Sequence, residues 1–283
     1  MNNLVSIIVN CYNGEKYLKK CLQSIISQTY ENWEVIFMDN CSTDNSKKIF
    51  QSFNEKKFFY FTSEKLINLS KARNLAISKS NGNYICFLDT DDYWNNNKIY
   101  NQIRIFKSQD AALVFSNFIV HNNQNGKKKK SIKTKIENKN IINSFFKRYP
   151  VSISTVMFDK KKINDYFFNE RYHCIGDFDF VMKAALKYKI FGIDDPLTTV
   201  LIHEKNETKR KFKLYTLELS HWYRKFHKDF ADFQNIKQLK SNIYYEISKI
   251  LLIQRKYKSF FKLFFRISYF QKIKIFVFYL LNF

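Results

Sequence analysis

Val5-Ser6-Ile7-Ile8-Val9-Asn10-Cys11-Tyr12-Asn13 opens on a nearly continuous run of β-branched apolar residues and closes on polar ones. A run without apolar–polar alternation reads as a strand covered on both faces, the situation of parallel sheets sandwiched by helices. We place that strand at Leu4–Val9. Outward from it, Glu15–Gln28 sets Tyr17, Leu18, Cys21, Leu22, Ile25 and Ile26 on one helical face. The same alternation then repeats. Strands are predicted at Glu34–Met38, Phe58–Thr62, Tyr84–Leu88 and Ala112–Ser116. Helices are predicted at Asp44–Phe53 (started by a Ser42/Thr43 cap), Ser70–Ser80 and Asn95–Lys107. Repeated βα units predict an α/β fold: a mostly parallel, doubly wound sheet with right-handed crossovers, flanked by helices.

The rhythm then breaks. Asn122–Gly126 reads as a polar turn and Lys127–Lys130 as a solvated basic loop. A helix near Lys139–Lys147, a strand at Ile153–Phe158, a helix at Phe178–Tyr188 and a strand at Leu197–Ile202 follow. Beyond about residue 210 only helical patterns rich in Lys, Phe and Tyr remain. The organisation expected is a catalytic domain over 1–210 and a basic, aromatic-rich helical appendage over 211–283.

With 45% hydrophobic and 18% aromatic residues, the chain is not a disordered one. Lys and Arg total 48 against 25 acids, and from residue 205 onward there are 18 basic and 5 acidic residues. That excess suits a polyanionic partner: nucleic acid, an acidic membrane surface or phosphorylated substrates. The five cysteines are dispersed without a C-x-x-C pair, which fits small hydrophobes in a reducing compartment. No basic segment with a cleavage site precedes the first strand, so a cytoplasmic location is expected.

Ligands of open parallel α/β sheets sit outside the carboxyl ends of the strands. Three predicted strands end in polar groups: Asn10-Cys11-Tyr12-Asn13, Asp39-Asn40 and Asp89-Thr90-Asp91-Asp92. One Asp after a strand is usually a helix cap, but three polar ends on one edge define a crevice. Asp89, Asp91 and Asp92 repel one another unless a cation or hydrogen-bond donors compensate. Hard oxygen donors suit Mg²⁺ or Mn²⁺, and an ion held by one or two carboxylates keeps positions open for substrate phosphates. Arg73, at the start of the third helix, could add a bidentate phosphate contact; the competing reading is a surface Arg.

Together with Lys71-Ala72-Arg73-Asn74 and Phe87-Leu88-Asp89-Thr90-Asp91-Asp92, the segments Val5–Asn13 and Asp39-Asn40-Cys41-Ser42-Thr43-Asp44 resemble the successive motifs of family 2 glycosyltransferases, which have a GT-A fold. Order and spacing match over roughly residues 4–210. The resemblance implies that Tyr12, Asn13 and Asp39 bind the nucleotide base, that Asp89 contacts the ribose or sugar, and that Arg73 lies near the diphosphate or donor sugar. It implies Asp91 as ligand of Mn²⁺ or Mg²⁺, with His203 of Leu201-Ile202-His203-Glu204-Lys205-Asn206 touching the diphosphate or completing the metal shell. Cys41 departs from the Gly that many members carry. In Gly176-Asp177-Phe178-Asp179-Phe180, Gly176 replaces the first acid of a common Glu-Asp pair, and Asp177 aligns with the catalytic base. An inverting transfer needs such a carboxylate to take the acceptor hydroxyl proton. Asp179 is the alternative base, two residues on and expected to point elsewhere.

The activity expected from this resemblance is transfer of a sugar from a nucleotide-sugar donor, UDP-linked by family frequency, onto a glycan or polyprenyl-phosphate-linked acceptor. Lys256–Phe283 mixes Phe, Ile and Leu with lysines, and its longest charge-free stretch, Ile275–Phe283, is too short to span a bilayer. A basic amphipathic segment of this kind can lie on an anionic membrane surface, here the inner face of the cytoplasmic membrane; packing on the catalytic domain is the competing reading. A basic nucleic-acid-binding protein is the alternative from another class, disfavoured by strand-end carboxylates that repel phosphates. A sugar-nucleotide-forming nucleotidyltransferase would be expected to show a Gly-rich, basic loop after strand one, which Asn10-Cys11-Tyr12-Asn13-Gly14 does not supply. A non-catalytic relative that only binds sugar nucleotides is opposed by the retention of Asp39, Asp89, Asp91 and Asp177.

Overall fold

The computed structural model describes residues 3–147, 149–164, 167–204, 206 and 210–282. Its first seven elements along the chain are β1 (Val5–Cys11), α1 (Glu15–Ile26), β2 (Trp33–Asp39), α2 (Ser46–Ser52), β3 (Phe58–Thr62), α3 (Leu69–Ser78) and β4 (Tyr84–Phe87). Every residue of β2 is buried, and β1 is buried except at Asn10, as the unalternating sequence requires. β1 runs parallel to β2 and β4, and β2 parallel to β3. α1 covers one face by burying Leu18, Cys21, Leu22 and Ile25, which recur at helical spacing. Each fully buried Leu or Ile there contributes about 1.5–3 kcal/mol over an exposed one.

Beyond β4 the sheet turns mixed. β5 (Tyr93–Trp94), α4 (Lys98–Gln109), β6 (Leu113–Asn122), β7 (Lys128–Lys130), α5 (Ile141–Lys147), β8 (Met157–Asp159), α6 (Gly176–Lys187) and β9 (Ile190–Ile202) follow. The strand order is β3-β2-β1-β4-β8-β6-β9-β5, with β7 on β6. β8 is antiparallel to both β4 and β6, whereas β6 and β9 run parallel over ten register pairs. Three sequence expectations change. Ile153–Phe158 is not one strand but a 3₁₀ turn, Ile153–Thr155, followed by the short β8. Lys128–Lys130 is not a free loop: it pairs with Ile119–His121 as an exposed edge strand, and lysines at such an edge deter pairing with another chain. α2 is not capped by Ser42 or Thr43. Asp44 Oδ1 accepts the Ser46 N–H at 3.0 Å, while Ser42 Oγ accepts the N–H of Asn13 at 3.0 Å.

The chain divides into two compact units, Met1–Ile141 with Pro150–Asn206, and Ile142–Tyr149 with Glu207–Phe283. The first holds the sheet. The second contains α7 (Phe212–Phe226), α8 (Ile236–Ile253), α9 (Tyr257–Phe264) and α10 (Tyr269–Asn282). Inside it Phe230 packs edge-on against Phe146 and at a tilt against Trp222, at ring separations of 5.3 Å each. Leu252, Phe260, Ile267 and Ile275 form a smaller cluster between α8, α9 and α10. No helix of the described residues is long and apolar enough to cross a membrane.

Lys98, the first residue of α4, is wholly buried. Its ammonium lies 3.9 Å from the Trp94 ring centroid and has no hydrogen-bond acceptor. Burial pushes its pKa down to about 8 from the usual 10.5. Between those values the unfolded chain holds a proton that the native protein has released, so stability must rise with pH across that window. Relative to Lys98→Met, the wild-type protein is expected to gain about 3 kcal/mol between pH 7.5 and 10.5. Urea unfolding of both proteins at the two pH values checks it, and a pH-independent difference would refute the assignment.

Candidate active site

Parallel pairing brings the predicted strand ends onto one edge. Cys11 is opposite Asp39 and Ile8 opposite Phe87, so the chains leaving β1, β2 and β4 emerge side by side. The loops after β1 and β2 are tied reciprocally. Asp44 Oδ2 accepts the N–H of Glu15, and Glu15 Oε2 accepts the N–H of Asn45, both at 3.0 Å. Asn13 Oδ1 accepts the Thr43 N–H at 2.8 Å, and Asn13 itself has φ +52°. Tyr12 beside it is exposed. Cys41 has φ +61°, a left-handed conformation that Gly adopts freely and that costs another residue about 1–2 kcal/mol. Its thiol donates to the Ser63 carbonyl at 3.1 Å, offsetting part of that cost.

Asp39 is buried with its carboxylate fixed: Oδ1 accepts the Ser42 N–H at 2.8 Å and Oδ2 the Tyr60 hydroxyl at 2.6 Å. Burial and the bond to Asp39 push the Tyr60 phenol well above its usual pKa, so it remains a donor. A carboxylate has about four lone-pair positions, which leaves Asp39 acceptor capacity for a ligand N–H.

The acidic cluster separates into distinct environments. Asp89 Oδ1 receives Arg73 Nη2 at 3.3 Å. Arg73 is only 5% exposed, on the inner face of α3, so it is not a surface Arg. Asp92 is buried: Ser154 Oγ donates to its Oδ2 at 2.6 Å and Leu201 N–H to its Oδ1 at 3.0 Å. Burial, with Asp91 and Asp89 nearby, raises its pKa strongly. Asp92 thus ties the acidic loop to the end of β9. β5, immediately after the cluster, pairs antiparallel with β9, Tyr93 opposite Thr199, and this returns the chain beyond Ile202 to Asp91. There His203 Nε2 lies 2.9 Å from Asp91 Oδ2, and Asn206 Nδ2 donates to the same oxygen at 3.1 Å. The His203 ring stacks on Tyr17 of α1 at 4.9 Å. Burial and Asp89 raise the Asp91 pKa, while His203 opposes the shift.

No group of three or more His, Cys, Asp or Glu side chains among the described residues forms a closed metal cage. The donor set nevertheless fits a divalent ion completed by substrate oxygens: one carboxylate and one imidazole converge here, and a cation would replace the proton between them.

Asp177 stands in the first turn of α6, half-buried, with Oδ1 accepting the Phe178 N–H at 2.8 Å. Burial raises its pKa, the positive charge of Arg73 lowers it and Asp89 raises it again. Asp177 therefore shares one electrostatic environment with the Arg73–Asp89 pair. Asp179 is fully buried and paired with Lys183 at 2.8 Å, away from that role. At Gly176, where the resemblance leads one to expect Glu, a Cβ would press on Ser70 Oγ, which donates to the Tyr172 carbonyl at 2.8 Å. The absent acid and the buried Ser70 go together. Tyr60 and Ser154 were not singled out by sequence, and Tyr17 was read only as part of the first helix's apolar face, because each positions a neighbour across the fold and carries no local motif.

The chain belongs to glycosyltransferase family 2: the model described as Glycosyl transferase family 2 matches residues 6–187. It is 31% identical over 165 residues to the Escherichia coli UDP-Glc:alpha-D-GlcNAc-diphosphoundecaprenol beta-1,3-glucosyltransferase WfgD, covering 58% of this chain and 64% of that enzyme. The match thus spans less than two thirds of that relative's length. Among solved structures, Staphylococcus aureus TarS 1-349 in complex with UDP-GlcNAc is similar at a TM-score of 0.64 and 21% identity, covering 86% of this chain and 72% of that one. The mannosyltransferase PcManGT from Pyrobaculum calidifontis, in complex with GDP-Man and Mn²⁺, is similar at 0.65 and 14% identity, covering 85% and 69%. At these identities the likeness establishes the GT-A fold and no more.

Proposed function

We propose that the chain is a metal-dependent, inverting glycosyltransferase that moves a sugar from a UDP-linked donor onto a glycan or polyprenyl-phosphate-linked acceptor. The observation that carries this reading is the convergence of the Arg73–Asp89 and Asp91–His203 pairs on the loop after β4, where the charges of Arg73 and Asp89 also act on Asp177. Tyr12, Asn13 and Asp39 take the nucleotide base, with Asp39 held by Tyr60 and Ser42 as acceptor for a base N–H. Asp89, oriented by Arg73, contacts the ribose or donor sugar, and Arg73 itself lies at the diphosphate end. A divalent cation bound by Asp91 and His203 would neutralise charge developing on the diphosphate as the glycosidic bond breaks. Asp177 takes the proton of the acceptor hydroxyl while its oxygen attacks the anomeric carbon from the face opposite the leaving diphosphate, so configuration inverts.

A lipid-linked acceptor is supported by the acceptor in the E. coli relative's name and by the basic C-terminal helices, which suit the inner face of a cytoplasmic membrane. A donor screen with UDP-glucose, UDP-GlcNAc, GDP-mannose and dTDP-sugars, read as nucleotide release with a polyprenyl-diphosphate-linked sugar, tests this. UDP release is expected, together with thermal stabilisation by UDP and Mn²⁺. Stabilisation by oligonucleotide alone, with no nucleotide released from any donor, would overturn the reading.

A further inference from the structure

The second unit contains a groove lined by none of the residues assigned above to the transfer reaction. It has a volume of about 540 Å³ and lies between α7, α8 and the turn joining α9 to α10. Tyr223, His227 and Tyr244 line its walls, and Lys237, Lys240 and Arg266 its rim. Tyr223 and His227 stack at 5.3 Å, and Lys240 Nζ lies 5.7 Å from the Tyr244 ring centroid. No carboxylate lines the groove, and none of the three rim cations has a carboxylate partner among the described residues. Three exposed, uncompensated cations around an aromatic-walled hollow repel one another unless an anion sits between them. Burial and the neighbouring Tyr244 push the Tyr223 phenol up, so it stays a hydrogen-bond donor at neutral pH.

The segments flanking Arg266 narrow the anion. Arg266 follows Phe265 in the turn between α9 and α10, and the two helices leave Phe261, Phe265, Tyr269, Phe270 and Phe276 each more than half exposed. Exposed aromatics of this density, interleaved with lysines, are stable against an acyl–headgroup boundary and unfavourable in water. A free phosphate compound would use the rim and leave these aromatics without purpose. We infer that the groove seats the phosphate of an anionic lipid headgroup, with the acyl chains lying against the exposed aromatics of α9 and α10. Lys237, Lys240 and Arg266 then serve as point and forked donors to phosphate oxygens.

The assignment goes beyond the transferase reading and does not require it, since the nucleotide site lies in the first unit. The test uses full-length protein and dihexanoyl phosphatidylglycerol below its micelle concentration, because a monomeric lipid has no surface potential to attract basic protein generally. Saturable binding is expected by calorimetry. Lys237→Ser/Lys240→Ser/Arg266→Ser should weaken it at least about 30-fold, each cation near phosphate being worth several-fold. Lys256→Ser/Lys258→Ser/Lys262→Ser, which removes equal charge outside the groove, should change it less than about threefold. Absent binding, or equal losses in the two variants, overturns the groove. Glycerol 1-phosphate binding as tightly as the lipid overturns the lipid source. Stabilisation by UDP and Mn²⁺ is measured alongside: its retention in the groove variant shows an intact fold, and its failure in wild type strikes the transferase reading alone.

Discussion

Asp177→Asn is expected to lower sugar transfer by about 10³-fold while leaving donor binding unchanged. The substitution keeps size and the acceptor oxygen that receives the Phe178 N–H, so the first turn of α6 stays in place. What it removes is the proton-accepting carboxylate. In the proposed arrangement nucleotide binding uses Asp39, Asp89 and Asp91, at strand ends and not on α6, so UDP-dependent stabilisation should persist. The wild-type rate also carries a pH signature. Burial lifts the Asp177 carboxyl above the ordinary carboxylate range despite the opposing charge of Arg73. The base works only when deprotonated, so transfer should fall as pH drops through this raised value, with the acid limb at higher pH than an ordinary aspartate would give. Single-turnover transfer from pH 4 to 8, with thermal shifts on the same samples, supplies both readouts. Turnover within tenfold of wild type would remove Asp177 from the base role.

Asp91→Asn should cost at least about 10²-fold in transfer and abolish the part of UDP stabilisation that depends on Mn²⁺. Asn is chosen over Ala because Asp91 Oδ2 also holds His203 and Asn206, and an amide keeps partners for both. Burial and Asp89 raise the pKa of its wild-type carboxyl, so protons compete with a metal more strongly there than at an ordinary aspartate. The Mn²⁺ concentration needed for half-maximal stabilisation should therefore rise as pH falls in wild type. A variant that keeps both Mn²⁺-dependent stabilisation and transfer would exclude Asp91 as ligand.

Much of this site is legible from local sequence. The buried run Val5–Val9 and the apolar stripe Leu18, Cys21, Leu22 and Ile25 determine one strand and the helix that covers it. Parallel pairing then puts Asn13, Asp39 and the Asp89–Asp92 cluster on the same edge without further information. The short antiparallel pieces are less legible. β5 has two residues and β8 three, too few for a periodic pattern, and their pairing follows from the register of β9 and β6 rather than from their own composition.

The sequence by itself determined the α/β alternation, the acidic strand ends and the excess of basic residues toward the C-terminus, because these depend on side-chain type and on spacing within one element. Tertiary structure decided the division of labour inside Asp89-Thr90-Asp91-Asp92. Asp89 faces buried Arg73, Asp91 meets His203 across an antiparallel pair, and Asp92 turns inward to Ser154 and Leu201. It also gathered Lys237, Lys240 and Arg266 around one hollow. Those relations join residues far apart in the chain, and a carboxylate's or lysine's role depends on burial and on the charges packed against it.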